Sequence, residues 1–313
     1  MIRSLIQFQK GVSLADFLKI YGGEEQCRAS LEKARWPTGF QCPHCGGTRH
    51  SFHSARNLHQ CSSCKTQTSV TAGTIFHGSK VPLSKWFLAM YLMTQSKNAI
   101  AALELMRHLG VQYNTAWLLK QKLAQVMLER NATKPLEGRI EMDDAYLGGE
   151  KEGKRGRGSE NKLPFVAAVA TREGRPMRLH FRCVDTFSRN EIEKYAKANL
   201  KVGAEVVSDG LDCFTAVTEV GCTHKVVITS RIHNSQKLTV FRWVNTAISN
   251  LKTSIGGTYH ALSERHAPRC LAEFEYRFNR RAALDTMIPR LAWAAVRTGP
   301  RPFRWLVPAE AAA

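Results

Sequence analysis

The chain has 313 residues, and its 45 Lys and Arg against 26 Asp and Glu leave a formal charge of +19 and a pI near 9.8. Such an excess favours a polyanionic partner through release of condensed counterions, nucleic acid first and an anionic membrane second. A membrane is the poorer fit, because the longest apolar run, Trp86 to Met93, falls far short of the roughly 20 residues of a bilayer span.

Met1-Ile-Arg-Ser-Leu-Ile-Gln7 lacks a secretory apolar core, so a cytoplasmic, nucleoid-associated protein without a membrane partner is expected. Leu14, Phe17, Leu18 and Tyr21 follow a candidate cap at Ser13 with helical spacing, giving a helical lead-in over residues 1–39. The nine cysteines are an odd number in a long chain, which argues for reduced thiols over disulfides. Four of them have a more specific pattern. Cys42-Pro-His-Cys45 and Cys61-Ser-Ser-Cys64 stand fifteen residues apart, the spacing of two knuckles that hold one tetrahedral Zn²⁺. A closed four-thiolate site of this kind contributes folding energy, not catalysis. We assign residues 40–78 to a zinc ribbon, with His44, His50, His53 and His59 outside its ligand set.

Residues 79–135 turn helical. Trp86–Met93 forms one apolar segment, Ile100, Leu103 and Met106 recur at helical spacing, and Leu109-Gly110-Val111 interrupts them before a second helix through Trp117, Leu118, Leu119 and Val126. Helix, short Gly-containing turn, helix is the outline of a helix-turn-helix DNA reader. Its polar positions Lys120 and Lys122 are expected to contact DNA.

From residue 136 to 298 the texture is β-rich and then alternating. Arg139–Leu147, Leu163–Ala170 and Met177–Val184 read as strands, followed by helix Asn190–Leu200, strand Glu205–Ser208, helix Cys213–Val220, strand His224–Ile228 and a helix from about Leu238. This order predicts an α/β domain with a mixed sheet and helices packed on it. Residues 299–313 form a C-terminal tail. Between the first two strands, the Gly-rich basic stretch 150–162 offers Lys154, Arg155 and Arg157 to phosphates.

Asp143 follows Ile140 and Met142 on a predicted strand that runs into a Gly-Gly turn, and Asp209 ends a second strand beside Gly210. Carboxylates at adjacent strand ends suit two hard ions, Mg²⁺ or Mn²⁺, in phosphoryl chemistry, although Asp-Gly is also an ordinary turn. On the helix Trp243–Lys252, Asn245, Ser249 and Lys252 share one face while Val244, Ile248, Leu251 and Ile255 form the apolar stripe. An amide oxygen there can ligate a cation, and the lysine two turns on can hold a phosphate.

Several further stretches belong to the same pattern: Thr71-Ala-Gly-Thr-Ile-Phe76, Met142-Asp-Asp-Ala-Tyr-Leu-Gly-Gly149, Lys151-Glu-Gly-Lys-Arg-Gly-Arg157, Ser208-Asp-Gly210, Ile248-Ser-Asn-Leu-Lys252, Gly257-Thr-Tyr-His260 and Arg277-Phe-Asn-Arg-Arg281. With the four cysteines and in this order, they make residues 40–281 resemble the bacterial insertion-sequence transposases that join an N-terminal zinc ribbon to an RNase H-like catalytic domain. The resemblance implies Asp143 and Asp209 as metal ligands, Asn245 as the third, and Lys252 as a contact to transposon-end DNA. Asp144 is the alternative to Asp143, and Asn250, Glu264 and Glu273 are the alternatives to Asn245. It further implies binding to terminal inverted repeats and target DNA, metal-dependent cleavage and strand transfer, and a homodimer or larger synaptic assembly. Arg280 and Arg281 are expected to grip phosphates. A non-catalytic DNA-binding protein and an RNase H-like nuclease without strand transfer are the competing expectations.

Overall fold

The computed structural model describes residues 9, 11–148, 162–228, 239–259 and 262–307. The chain divides between Val126 and Met127, and residues from Ala282 onward rejoin the first unit. This differs from the expected partition, which placed the boundary near residue 136 and kept 282–298 with the sheet domain.

In the first unit, Ser13 caps α1 (Leu14–Tyr21) by accepting from Asp16 N, and Phe17 and Tyr21 turn inward. Helix α2 (Glu24–Arg35) leads to the ribbon strands β1 (His50–His53), β2 (Leu58–Cys61) and β3 (Gln67–Thr68), which form an antiparallel sheet in that order. Next come α3 (Leu83–Gln95), α4 (Ala102–Leu109) and α5 (Tyr113–Asn131), the last running past the division of the chain. The Glu24 carboxylate caps α3 by accepting from Leu83 N at 2.8 Å and Ser84 N at 3.0 Å. Gly110, with φ of 57°, closes α4 in the left-handed region, a conformation that costs glycine little. Of the expected stripe, Ile100 is buried and Met106 half-buried but Leu103 is exposed, and the buried residues of α4 itself are Leu105 and Leu109. Helix α9 (Met287–Ala295) packs against α2 and α3.

The second unit is built on β4 (Arg139–Leu147), β5 (Leu163–Arg172), β6 (Arg175–Cys183), β7 (Glu205–Ser208) and β8 (Thr223–Val226), ordered β6-β5-β4-β7-β8. The β6-β5-β4 part is antiparallel, and β7 and β8 add parallel to β4. β5 is buried on both faces, as expected of a continuous apolar run covered on each side. Val166, Ala168 and Ala170 join Ile140, Met142 and α6 (Arg189–Asn199) in one core, with the 3-10 turns of Asp212–Val220. Phe165, Ala167 and Val169 join Ala145 and Leu147 in another, against α7 (Arg242–Thr258) and α8 (Ala267–Phe278). This is the mixed, helix-flanked sheet expected of an RNase H-like domain, preceded by a ribbon and a helical module. No described helix is long and apolar enough to cross a membrane.

Candidate active site and zinc centre

The four ribbon sulfurs all lie within 4.8 Å of one another, with Cys42 Sγ 3.6 Å from Cys64 Sγ and Cys45 Sγ 3.5 Å from Cys61 Sγ. A tetrahedral Zn²⁺ with Zn–S of about 2.3 Å sets sulfur edges of about 3.8 Å, so the donor set fits the ion in both chemistry and spacing. Each knuckle is closed by backbone bonds: Gly46 N to Cys42 O and Cys42 N to Gly47 O in the first, Lys65 N to Cys61 O and Cys61 N to Thr66 O in the second. Cys64 Sγ lies 3.3 Å from Thr66 Oγ1, and that contact with the Thr66 backbone pulls its thiol down to about 5, favouring the thiolate. Trp36 and Phe40 pack against the cluster. His59, outside the ligand set, is buried beside Trp36 and Phe40, with Nε2 3.2 Å from Glu32.

In the second unit, parallel pairing sets Arg139 beside Glu205, Ile140 beside Val206 and Glu141 beside Val207. Continuing that register two residues along brings Asp209 level with Asp143, on strands about 4.8 Å apart. The carboxylates of Asp143, Asp144 and Asp209 accordingly each place an oxygen within 4.8 Å of the other two. Asp143 Oδ1 accepts from Asp144 N at 2.9 Å, and Asp209 Oδ1 accepts from Leu211 N at 3.2 Å, which turns the chain after β7. Oxygen donors gathered this closely suit hard divalent ions.

A cavity of about 610 Å³ opens beside this cluster, lined by Asp143, Asp144, Lys162, Asn245, Lys252 and Tyr259 among others. Asn245 and Lys252 reach it because α7 buries Val244, Ile248 and Leu251 against the sheet, as the apolar stripe predicted. Of the alternatives to Asn245, Asn250 and Glu264 are exposed and absent from the cavity wall, and Glu273 is buried with Arg277 at 3.2 Å and the Tyr259 hydroxyl at 3.5 Å. Burial and the Glu273 charge raise the pKa of Tyr259, so its ring stands in the wall as a neutral phenol. Lys162, at the end of the basic stretch, was not singled out from the sequence.

The other expected DNA contacts are placed differently. Lys120 and Lys122 are only 3% and 9% exposed. Lys120 Nζ donates to the Ile100 carbonyl and Lys122 Nζ lies 6.0 Å from the centre of the Trp86 ring. Both charged heads are thus turned inward, onto a carbonyl and toward a ring. Arg280 donates to Asn131 Oδ1 and Tyr276 O and stacks on the Tyr276 ring at 3.6 Å. Arg281 donates to the carbonyls of Pro176, Met177 and Phe278, and burial lowers it to about 10. Just ahead of them, Asn279 exchanges two hydrogen bonds with the Leu179 backbone. The motif around Asn279–Arg281 therefore fastens the end of α8 to β6. Lys154, Arg155, Arg157 and His260 lie outside the described residues.

Comparison with known proteins bears on both centres. Residues 22–67 match the transposase zinc-ribbon domain, which takes in α2 as well as the knuckles, and residues 135–279 match the ISXO2-like transposase domain. A curated relative, described as an uncharacterized protein in transposable element ISH50 of Halobacterium salinarum, is 29% identical over 171 residues. That match takes in 48% of this chain and 56% of the relative, so it spans little more than half of the relative's length. With the four-sulfur ribbon inside one matching domain and the acidic cluster inside the other, the chain belongs to the insertion-sequence transposases that carry an N-terminal zinc ribbon.

Proposed function

We propose that this chain is a DNA transposase that binds the terminal inverted repeats of its element, cleaves the DNA there and joins the freed end to target DNA. The observation that carries this reading is the convergence of the Asp143, Asp144 and Asp209 carboxylates within 4.8 Å beside the cavity that Asn245 and Lys252 line. Asp143, Asp209 and Asn245 would hold Mg²⁺ or Mn²⁺, with Asp144 adding charge to the same cluster. Two such ions, when bound, activate a water and stabilise the leaving oxygen of an in-line displacement. With an amide replacing a third carboxylate, one negative charge fewer opposes the approach of a phosphodiester. Lys252 and Lys162 neutralise the phosphate in the cavity. Lys154, Arg155 and Arg157, in the Gly-rich basic stretch of the sequence, are further candidates for phosphate contact.

End recognition falls to the ribbon and to α4–α5. In helix-turn-helix readers the start of the second helix meets base edges. Gln112, Tyr113 and Asn114 at the start of α5 are exposed, which favours them over Lys120 and Lys122 as the reading residues. Joining two ends calls for at least two copies of the chain in one synaptic assembly.

The test is incubation of the chain with duplexes carrying the ends of its own element and Mg²⁺ or Mn²⁺, scored for nicking and joining. Both products are expected, and Asp209→Ala should remove both while leaving end binding intact. Nicked products that never join would make it a nuclease. Binding without any nicking would make it a DNA-binding protein alone.

A further inference from the structure

One buried carboxylate next to the acidic cluster has no part in the metal site as described. Glu141 is 1% exposed, stands two residues before Asp143 on β4, and so faces the same side of the sheet. It is not among the converging carboxylates of Asp143, Asp144 and Asp209. Its Oε2 instead accepts from Trp243 N at 2.8 Å and Val244 N at 3.1 Å, and its Oε1 lies 3.0 Å from Arg139 Nη1.

These two amides belong to the first turn of α7, where N–H groups lack partners within the helix. The N-cap residue is Phe241, which makes no side-chain cap bond. The next amide, Asn245 N, bonds to Phe241 O at 3.1 Å. Glu141 thus serves as a cap supplied from the strand. Arg139 completes the link by donating to the Val240 carbonyl at 3.3 Å and to Thr171 Oγ1 at 3.2 Å. The carboxylate is balanced by a guanidinium on one oxygen and by the positive end of the helix on the other.

We infer that Glu141 is a positioning residue that sets the height and rotation of α7 on β4, and thereby presents Asn245 to Asp143. The same strand carries the cap and the acidic ligand at i and i+2, and the same helix carries the capped amides and Asn245 on consecutive residues. A slip of the helix along the sheet would have to break both Glu141 bonds. This role rests on the metal-site reading proposed above.

The test compares Glu141→Ala, which removes the acceptor, with Glu141→Gln, which keeps an oxygen for the two amides, in the full chain. Three quantities are read: hydrogen exchange at the Trp243 and Val244 amides, the Mn²⁺ concentration giving half-maximal nicking of the element's own end duplex, and the maximal nicking rate. For Glu141→Ala, amide protection should be lost, half-saturation should rise about 10-fold, and the rate should fall by up to about 10²-fold, the scale of a 1 Å misplacement. Binding to the end duplex should not change. Glu141→Gln should retain protection and stay within about 3-fold of the parent in rate, which a requirement for negative charge at this position would not allow. A Gln variant that keeps its amides protected yet is as inactive as the Ala variant would overturn the inference and make Glu141 a direct ligand. An Ala variant with unchanged Mn²⁺ dependence and rate would overturn it as well. If the Ala variant does not fold, the Gln variant alone decides by the same criteria. Asp143→Ala is run alongside: if it leaves Mn²⁺ dependence and nicking untouched, the metal-site reading itself has failed, whatever Glu141 does.

Discussion

Adding one methyl group at Gly47 tests the zinc centre where its geometry is tightest. A Cβ there would sit 3.2 Å from Ser63 Oγ, 3.3 Å from Cys61 Sγ and 3.4 Å from Cys45 Sγ. Non-bonded heavy atoms rest at about 3.5 to 4.0 Å, so the methyl overlaps two of the four sulfurs by a few tenths of an ångström. Sulfurs tied to Zn²⁺ at about 2.3 Å have little room to retreat. Gly47 is also not among the glycines with positive φ, so alanine fits its backbone and the whole penalty is steric. Overpacking of this kind costs about 1–3 kcal/mol. Because the metal-bound fold carries that cost, zinc affinity should fall by about 5- to 150-fold, at 1.4 kcal/mol per tenfold. Competition against a chromophoric chelator, with zinc content measured in parallel, reads the shift. Zinc held by Gly47→Ala within twofold of the parent would refute the packing of the knuckles against this residue, and with it the sulfur geometry described above.

Three further outcomes follow from the placement of other side chains. Arg280→Ala should lower stability to urea by about 1–3 kcal/mol through loss of its bonds to Asn131 and Tyr276, while the salt dependence of DNA binding stays the same; a shallower salt slope with unchanged stability would return it to the DNA surface. Lys120→Met, which keeps the apolar stem and removes the charge from a 3% exposed site, should leave DNA affinity within twofold, as read by a binding titration at fixed salt. His180 supplies a pH signature. Burial pulls its pKa down, but the Glu275 carboxylate 3.6 Å from Nδ1 and the Lys134 carbonyl more than offset this, leaving it raised above 6.5. Its ion pair therefore contributes fully below pH 6.5 and is lost as the pH rises through the raised value. The stability gap between the parent and His180→Gln should shrink on going from pH 6 to alkaline solution, and a gap that widens instead would contradict the pairing.

Features carried by neighbours in the chain were legible from the sequence. The two CxxC pairs, the Ser13 cap and the Val244, Ile248, Leu251 stripe each depend on spacing within a few residues, and each takes its expected place. Side-chain type misled where polarity was taken for exposure. Lys120, Lys122 and Arg280 look like surface cations in one dimension, yet their long apolar stems let the charged ends bond to carbonyls and rings inside the fold. The partition at residue 298 missed that Met287–Ala295 packs on α2 and α3, because such a contact leaves no mark on local periodicity.

Residue type and spacing set the chemistry available: which side chains can hold zinc, which can hold a hard cation, and on which strand or helix each one rides. Their meeting was decided by tertiary structure. Asp143 and Asp209 come together because β7 pairs in parallel with β4 in one register, and Asn245 shares their side of the sheet because Glu141 and Arg139 hold the start of α7. Glu141 was invisible as anything but another polar position on a strand, since a cap drawn from a residue a hundred positions away has no local signature. Local spacing sets which atoms are offered, whereas strand register and helix docking are long-range pairings that only the folded chain can satisfy together.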